Sequence, residues 1–134
     1  MMFALWLRRA AAYVLRIVLP TSLMSQFIGT LLFGRSSPEG TAGTWIVCLC
    51  LLFCGIVSAL STRDGQSWAH RVMRLQVVDQ DSGMPISGSR MGLRELAHLA
   101  DIVSLGIGFF WPLWDGRGQT FADKIAKTMV IAKI

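Results

Sequence analysis

The chain has few charged residues. Asp, Glu, Lys and Arg make up 16% of its 134 residues, whereas apolar residues make up 53%. This composition is typical of membrane proteins, and the aqueous segments that remain are too small to build a sizeable soluble core. The 13 basic residues exceed the 8 acidic ones. They are not clustered in a tail or on one helix face, so we expect no nucleic-acid partner.

Patterns that carry chemistry are also scarce. All three cysteines lie in one apolar run within residues 44–61, where an odd number of thiols predicts packing residues and no disulfide framework. No Ser/His/Asp arrangement, phosphate-binding glycine loop or pair of catalytic carboxylates is recognisable. Glu95, His98 and Asp101 recur every three residues, but they have no evident fourth ligand or supporting shell. We therefore predict no enzyme, no cofactor and no metal site.

Two apolar stretches are long enough to cross a bilayer. About 20 apolar residues in a helix span the ~30 Å hydrocarbon core. Residues 10–33 and 44–61 are of about that length, and the only charge within them is Arg16. Pro20 follows Arg16 by one turn and predicts a kink in the first span. Trp45 opens the second span, where an aromatic residue of the membrane interface is expected.

The charge of Arg16 has two interpretations. Arg16 follows Arg9 by seven residues, on the same helix face and ~10 Å deeper at ~1.5 Å rise per residue. Its guanidinium either bends back toward the interface or pairs with a buried carboxylate, because intramembrane charges usually face the protein interior. Asp101 is the one carboxylate that adjoins an apolar run, so it is the predicted counter-charge in the second case.

A loop at residues 62–88 follows the second span. Alternating apolar and polar residues within 72–78 predict a strand, and the Asp- and Gly-containing residues 79–85 predict a turn. Residues 129–134 also have the composition of a strand. We therefore predict that the two strands pair and form a small cytoplasmic β element.

Two further segments precede the tail. Residues 89–100 predict an amphipathic helix with Ser89 as its N-cap. This helix is expected to lie at the membrane interface, with Arg90 and Arg94 toward lipid phosphates. Residues 101–114 are apolar but short for a span, and they contain two glycines and a proline. That combination favours a short helix that re-enters the membrane as a hairpin.

Basic residues set the predicted topology. Lys and Arg are retained on the cytoplasmic side of membranes. With Arg8 and Arg9 inside, two spans return the chain to the cytoplasm, and a re-entrant segment keeps the basic tail at residues 115–134 there as well. Trp111 and Trp114 belong to an aromatic cluster that suits lipid head groups or a partner helix.

The predicted fold class is therefore an all-α membrane protein with a single domain over residues 1–134. It has two transmembrane helices, an amphipathic interfacial helix, a third short apolar helix and a two-stranded cytoplasmic β element. The predicted localisation is a bacterial inner membrane, multi-pass, with both termini cytoplasmic.

Three segments together resemble the RDD family of small bacterial membrane proteins, named for one arginine and two aspartates. RRAAAYVLR resembles the start of the family's first helix, GQSWAHRVMRLQVVDQDSGMP its cytoplasmic loop and PLWDGRGQTFADKIAKTMVI its ending. The resemblance covers nearly the whole chain. It aligns Arg9 (or Arg8) with the family arginine and Asp123 with the last aspartate, which implies Arg9 and Asp123 as a candidate pair. The alternative function of Asp123 is to cap a helix in the tail.

The chain departs from the family pattern at Arg16, where the resemblance leads us to expect an aspartate. Some members have been proposed as ion or proton exchangers. Such chemistry needs an intramembrane carboxylate that releases and regains a proton. A guanidinium does not titrate usefully, so the substitution argues against an exchanger in this chain.

We therefore expect an accessory or stabilising subunit of a larger membrane complex, such as a transport system. Two spans and a hairpin enclose too little to make an aqueous pathway of their own, and small residues on the helices allow close contact with partner helices. The alternative is a homo-oligomeric ion or small-solute transporter with Asp101 as its titratable carboxylate. A third hypothesis is lipid binding through residues 89–100. Membrane lipids and other integral membrane subunits are the expected partners.

Overall fold

The computed structural model describes residues 2–34, 36 and 39–134. Most of them are helical, and two strands form one antiparallel sheet. The elements in chain order are α1 (Met2–Tyr13), a π-helical turn (Val14–Val18), α2 (Leu19–Phe33), α3 (Gly40–Leu60), α4 (Trp68–Val72), β1 (Leu75–Asp79), α5 (Gly88–Val103), α6 (Ile107–Phe110), a 3-10 turn (Trp111–Leu113), α7 (Phe121–Ala126) and β2 (Thr128–Ala132).

The π turn joins α1 and α2 into one long helix. Within it, the amide of Leu19 donates to the carbonyl of Val14, five residues back. Pro20 has no amide hydrogen, and its ring would collide with the carbonyl four residues earlier in a regular helix. A wider turn just before the proline relieves that collision. The irregularity thus precedes Pro20, and it buries both Arg16 and Ile17.

By length and composition, one described helix is suited to cross a membrane. This helix is α3, with 21 residues. The pair formed by α5 and the segment Ile107–Leu113, bent by 110°, adds a second if the pair counts as one span. The predicted first span at residues 10–33 lies on the long helix that α1, the π turn and α2 form together, in which the two α-helical parts have 12 and 15 residues.

The two-stranded element forms with the predicted pairing. β1 and β2 are antiparallel, with Leu75 opposite Ala132 and Asp79 opposite Thr128. The predicted turn at residues 79–85 is also confirmed, because the Asp79 carboxylate accepts hydrogen bonds from the amides of Asp81 and Ser82. Side chains of β1 and β2 pack with α1, α4 and α5 in the hydrophobic core, which contains Ala12, Ala69, Leu75, Val77, Ile86, Met91 and Val130.

Helix α5 begins earlier than expected and is capped by a different serine. The hydroxyl of Ser87 accepts a hydrogen bond from the amide of Arg90. The N-cap is therefore Ser87, and the prediction of Ser89 is wrong. Gly88 lies against α3, where a Cβ would be 2.6 Å from the carbonyl oxygen of Ala59. A glycine at this position therefore allows α5 to start in contact with the end of α3.

The orientation of α5 is the reverse of the one expected for an interfacial helix. Its polar side chains Arg94, His98 and Asp101 are buried. Its apolar residues on the other side are exposed: Leu93, Leu96, Leu99, Ile102 and Val103. The inward turn of the polar face has a physical reason, since the rest of the molecule supplies charged partners for it.

The apolar segment 101–114 is broken close to its start. Leu105 and Gly106 have φ of +57° and +83°, in the left-handed region, and they end α5. Glycine adopts that conformation readily. The break falls three residues into the segment rather than at Pro112, which lies in the 3-10 turn. Re-entry of this segment into a membrane remains a prediction.

Candidate functional site

The tail helix α7 fixes one buried carboxylate. Thr120 and Asp123 form a capping box. The Thr120 hydroxyl accepts a hydrogen bond from the Asp123 amide, and the Asp123 carboxylate accepts one from the Thr120 amide, each with a length of 3.1 Å. A capping box satisfies two free amides at a helix start. It also holds the Asp123 side chain in a single position, with no solvent exposure.

Two guanidinium groups from different helices bind this carboxylate. Arg9 of α1 forms an ion pair with Asp123 Oδ2, and Arg94 Nε of α5 donates to Oδ1 at 2.7 Å. The implied pairing of Arg9 with Asp123 is confirmed, and Arg9 rather than Arg8 occupies the position. Arg94 is 3% exposed, so the prediction that it contacts lipid phosphates is wrong. Its head group is held inside by Asp123.

These contacts keep Asp123 ionised. Burial by itself would raise the pKa of Asp123, but the guanidinium groups of Arg94 and Arg9 outweigh burial and hold the pKa of that carboxyl well below its ordinary value. A carboxylate that stays charged throughout the physiological range is a structural anchor and is unsuited to carry protons.

Arg16 pairs with a carboxylate that the sequence did not single out for it. Its Nη2 lies 3.0 Å from Glu95 Oε1, so the guanidinium is buried and the predicted pairing with Asp101 is wrong. The axial rise of a helix explains the choice. Asp101 is six residues beyond Glu95, which places it ~9 Å further along α5.

A histidine and two serines complete the surroundings of Arg16. Arg16 Nη1 lies 3.3 Å from each ring nitrogen of His70, and the Ser67 hydroxyl is 2.7 Å from His70 Nδ1. Ser58 of α3 is 3.4 Å from Glu95. Burial and the positive charge of Arg16 lower the pKa of His70 well below its ordinary value. The imidazole is therefore neutral and can accept a hydrogen bond from Arg16.

Asp101 has a different function, which is to hold the broken segment together. Its carboxylate is 2.7 Å from His98 Nδ1 and accepts the amide of Phe121 at 3.0 Å. Gly108 packs directly on it, because a Cβ there would be 2.0 Å from Oδ1. Asp101 thus links α5, α6 and α7 and fixes the bend between the first two. Glu95 is directed elsewhere, so Glu95, His98 and Asp101 do not converge on one point.

The other predicted contact residues differ in how accessible they are. Arg90 pairs with Asp79 at 2.7 Å and donates to the carbonyl of Ala126 at 3.1 Å, with 37% of its side chain exposed. Trp111 is half-buried between Trp114 and Phe121, whereas Trp114 is 59% exposed. Lipid or partner contact by Arg90, Trp111 and Trp114 remains a prediction, and Trp114 is the most accessible of the three.

A cavity of about 310 Å³ lies between α1, α5 and α6. The indole of Trp6 donates to the carbonyl of Phe109 at 2.8 Å and closes one wall. His98 stacks on Phe109 with ring centroids 5.5 Å apart and forms another. The charged residues that line the cavity are Arg9, Arg16 and Arg94. Among the residues that the structure describes, no Asp or Glu lines it. This cavity and the ion pairs behind it are the candidate functional site.

Comparisons with known proteins identify relatives of the chain. The proline-rich antigen of Mycobacterium leprae (strain TN) is 42% identical over 67 residues, which cover 50% of this chain and 27% of that protein. The proline-rich antigen homolog of Mycobacterium tuberculosis (strain ATCC 25618 / H37Rv) is 39% identical over 67 residues, covering 50% and 28%. The matched segment thus spans less than a third of these relatives.

No solved structure matches the chain. The sequence model of the RDD family matches residues 3–127. That range contains Arg9 and Asp123, the ion pair that joins the first helix to the tail. The chain belongs to the RDD family, whose members are generally associated with membranes.

Proposed function

We propose that this protein is an integral protein of a bacterial inner membrane and acts as an accessory subunit of a larger membrane complex, such as a transport system. One observation carries the proposal: α5 turns its charged side inward and its apolar side outward. A helix arranged in this way is stable only if apolar surroundings, either lipid or another protein, cover its outer face.

The outer face of α5 is continuous and large. Leu93, Leu96, Leu99 and Val103 lie three or four residues apart and are each more than half exposed. Residues at that spacing form one stripe along a helix. Exposure of this stripe to water would cost a free energy of ~25 cal/mol for each Å² of apolar surface. The stripe is therefore the surface on which we expect lipid or a partner helix to pack.

The buried charges support a stabilising function over an exchange function. Asp123 is held by two arginines and Glu95 by Arg16. A carboxylate that must bind and release an ion has to become free of its partner during the cycle. Breaking a buried pair is costly, at ~3–5 kcal/mol. These pairs are better suited to hold the helices in one arrangement.

The alternative function is a homo-oligomeric ion or small-solute transporter. The buried contact between His98 and Asp101, 2.7 Å apart, favours it, because histidine is a common proton shuttle. In either case we propose that the protein is multi-pass with both termini in the cytoplasm.

Native mass spectrometry tests the proposal. The protein carries an affinity tag, is expressed at its natural level and is extracted in a mild detergent. A defined heteromeric mass supports an accessory subunit. A homo-oligomer alone contradicts that function and supports the transporter. Ion-flux assays with an Asp101→Asn variant would then follow.

A pair of matched variants locates the contact. Leu96→Arg places a charge in the outer face of α5 and is expected to release the partner. Met84→Arg places the same charge on an exposed apolar residue of the turn after β1, and it is expected to leave the complex intact. Equal loss of the complex in both variants would contradict a contact through α5.

A further inference from the structure

We propose that the cavity between α1, α5 and α6 binds an amphiphile whose head group is an oxyanion, that is, a carboxylate or phosphate attached to a hydrocarbon chain. This inference concerns a ligand of the protein and does not depend on the accessory function. Three observations support it: the charge of the lining, its free hydrogen-bonding groups and the apolar opening.

The lining of the cavity is strongly cationic. Three guanidinium groups face it, those of Arg9, Arg16 and Arg94, together with the imidazoles of His70 and His98. The carboxylates that balance these charges do not line the cavity in the part of the chain that the structure describes. They pair with the cationic groups: Asp123 with Arg9 and Arg94, Glu95 with Arg16, and Asp101 with His98. An anion in the cavity therefore meets positive charge first.

Two of the guanidinium groups still have donors to offer. Arg16 Nε and Arg94 Nη1 are buried and have no hydrogen-bond partner among the described residues, and each side chain belongs to a residue that is 3% exposed. A buried donor without a partner destabilises the protein, and more strongly when the donor is charged. An oxyanion accepts hydrogen bonds from both groups and removes that destabilisation.

His98 adds a third polar atom of a different kind. An ionised carboxylate only accepts hydrogen bonds, so His98 donates from Nδ1 to Asp101. Its Nε2, also without a partner in the described part of the chain, is then an acceptor. It suits a hydroxyl on the head group, such as that of a monoprotonated phosphate.

The opening of the cavity is apolar. Val14 and Phe110 line it and are 47% and 50% exposed. Both continue into the exposed apolar surface of the first helix and the α6 segment. A cavity of about 310 Å³ is at the lower end of ligand sites, which occupy ~300–1,000 Å³. The head group and a few methylenes fill it, and the rest of the chain leaves across Val14 and Phe110.

Isothermal titration calorimetry of the purified protein in a non-ionic detergent tests the proposal. Dodecyl phosphate is expected to bind at one site per chain, and dodecanol, which lacks the charge, is expected to bind at least ~10-fold more weakly, since a charged hydrogen bond is worth ~1.5–3 kcal/mol. Inorganic phosphate, which lacks the chain, is also expected to bind more weakly. Equal affinity for dodecanol or for inorganic phosphate would overturn the proposal.

Variants show whether binding occurs in this cavity. Ala10 lines the cavity and Ala4 is an exposed alanine of the same helix. Ala10→Leu fills the space and is expected to weaken dodecyl phosphate binding at least ~10-fold, whereas Ala4→Leu leaves it unchanged. Arg94→Lys keeps the charge beside Asp123 but removes the free Nη1, and it is expected to weaken binding of the phosphate without affecting dodecanol. Unchanged affinity in Ala10→Leu would place the ligand elsewhere.

The source of the ligand is decided by competition. Laurate represents a free fatty acid, and phosphatidylglycerol in nanodiscs represents a membrane lipid. Displacement of dodecyl phosphate by laurate but not by the phospholipid identifies a free acyl anion, and the converse identifies a bilayer lipid. Failure of both to displace it would overturn the assignment to an amphiphilic oxyanion.

Discussion

Arg16 and Glu95 form an ion pair inside the molecule, with 3.0 Å between Nη2 and Oε1 and side chains that are 2% and 8% exposed. The pair joins the π turn of the first helix to α5. A guanidinium at this position is therefore stabilised by a carboxylate from another helix, and it does not need to reach the aqueous interface.

Removal of either member of this pair leaves a buried charge without its partner. We expect Arg16→Leu and Glu95→Leu each to lower the free energy of unfolding by ~3–5 kcal/mol. The double variant is expected to be more stable than either single one, because it buries no unpaired charge. Thermal unfolding followed by size-exclusion chromatography in detergent measures all three.

As a control, Asp101→Asn is combined with Arg16→Leu. The two residues share no bonded partner, so their effects on the free energy of unfolding are expected to add. A strong deviation from additivity would contradict the assignment of Glu95 as the partner of Arg16.

The bridge made by Asp123 is expected to be the most sensitive point of the fold. Asp123→Asn removes the negative charge that holds Arg9 and Arg94 together, and two buried guanidinium groups then repel each other. We expect a loss of ~3–5 kcal/mol and a smaller yield of monodisperse protein. Asp81→Asn, at an exposed position of the turn after β1, is the matched control and is expected to have little effect. Similar yields of the two variants would contradict the structural function of Asp123.

His70 makes stability depend on pH. Its pKa is lowered in the folded protein by burial and by Arg16. Below the ordinary value of ~6.5, the unfolded chain takes up a proton that the folded chain does not. The free energy of unfolding therefore falls as the pH decreases from 7.5 to 5, by up to ~1.4 kcal/mol per pH unit. His70→Gln retains an acceptor for Arg16 and is expected to flatten this dependence, as measured by the unfolding midpoint at each pH. An equally steep dependence in His70→Gln would assign the effect to another group.

Gly108 is required for the packing of Asp101. A Cβ at this position would be 2.0 Å from Asp101 Oδ1, so Gly108→Ala displaces the carboxylate from the Phe121 amide. We expect a loss of ~1–3 kcal/mol, as for other overpacked sites. Gly116→Ala is the control, because nothing lies within 4 Å of a Cβ there. Unfolding midpoints that are equal for the two variants would contradict the proposed contact.

Local sequence signals predicted the elements whose formation depends on neighbouring residues. The alternation within residues 72–78 and the turn that follows it were both apparent, because turns and period-two patterns are encoded within a few residues. The pairing of Arg9 with Asp123 came from the family resemblance instead, since no local pattern connects residues so far apart.

The orientation of α5 could not be derived from its own sequence. An amphipathic helix has the same periodicity whether its polar side faces water or a polar interior. Arg94, His98 and Asp101 recur at spacings of four and three, which places them on one face, but only the positions of Asp123 and Phe121 show that this face is inside. The choice of Glu95 over Asp101 as the partner of Arg16 depends in the same way on helix packing.

The link between Arg9 and Asp123 also has a consequence for biogenesis. Arg9 leaves the ribosome 114 residues before the carboxylate that neutralises it, and Arg94 precedes the same carboxylate by 29 residues. Until Asp123 has been made, the nascent chain holds both arginines without their shared counter-ion. The ion pairs of Arg9 and Arg94 with Asp123 can therefore form only after the tail has been synthesised.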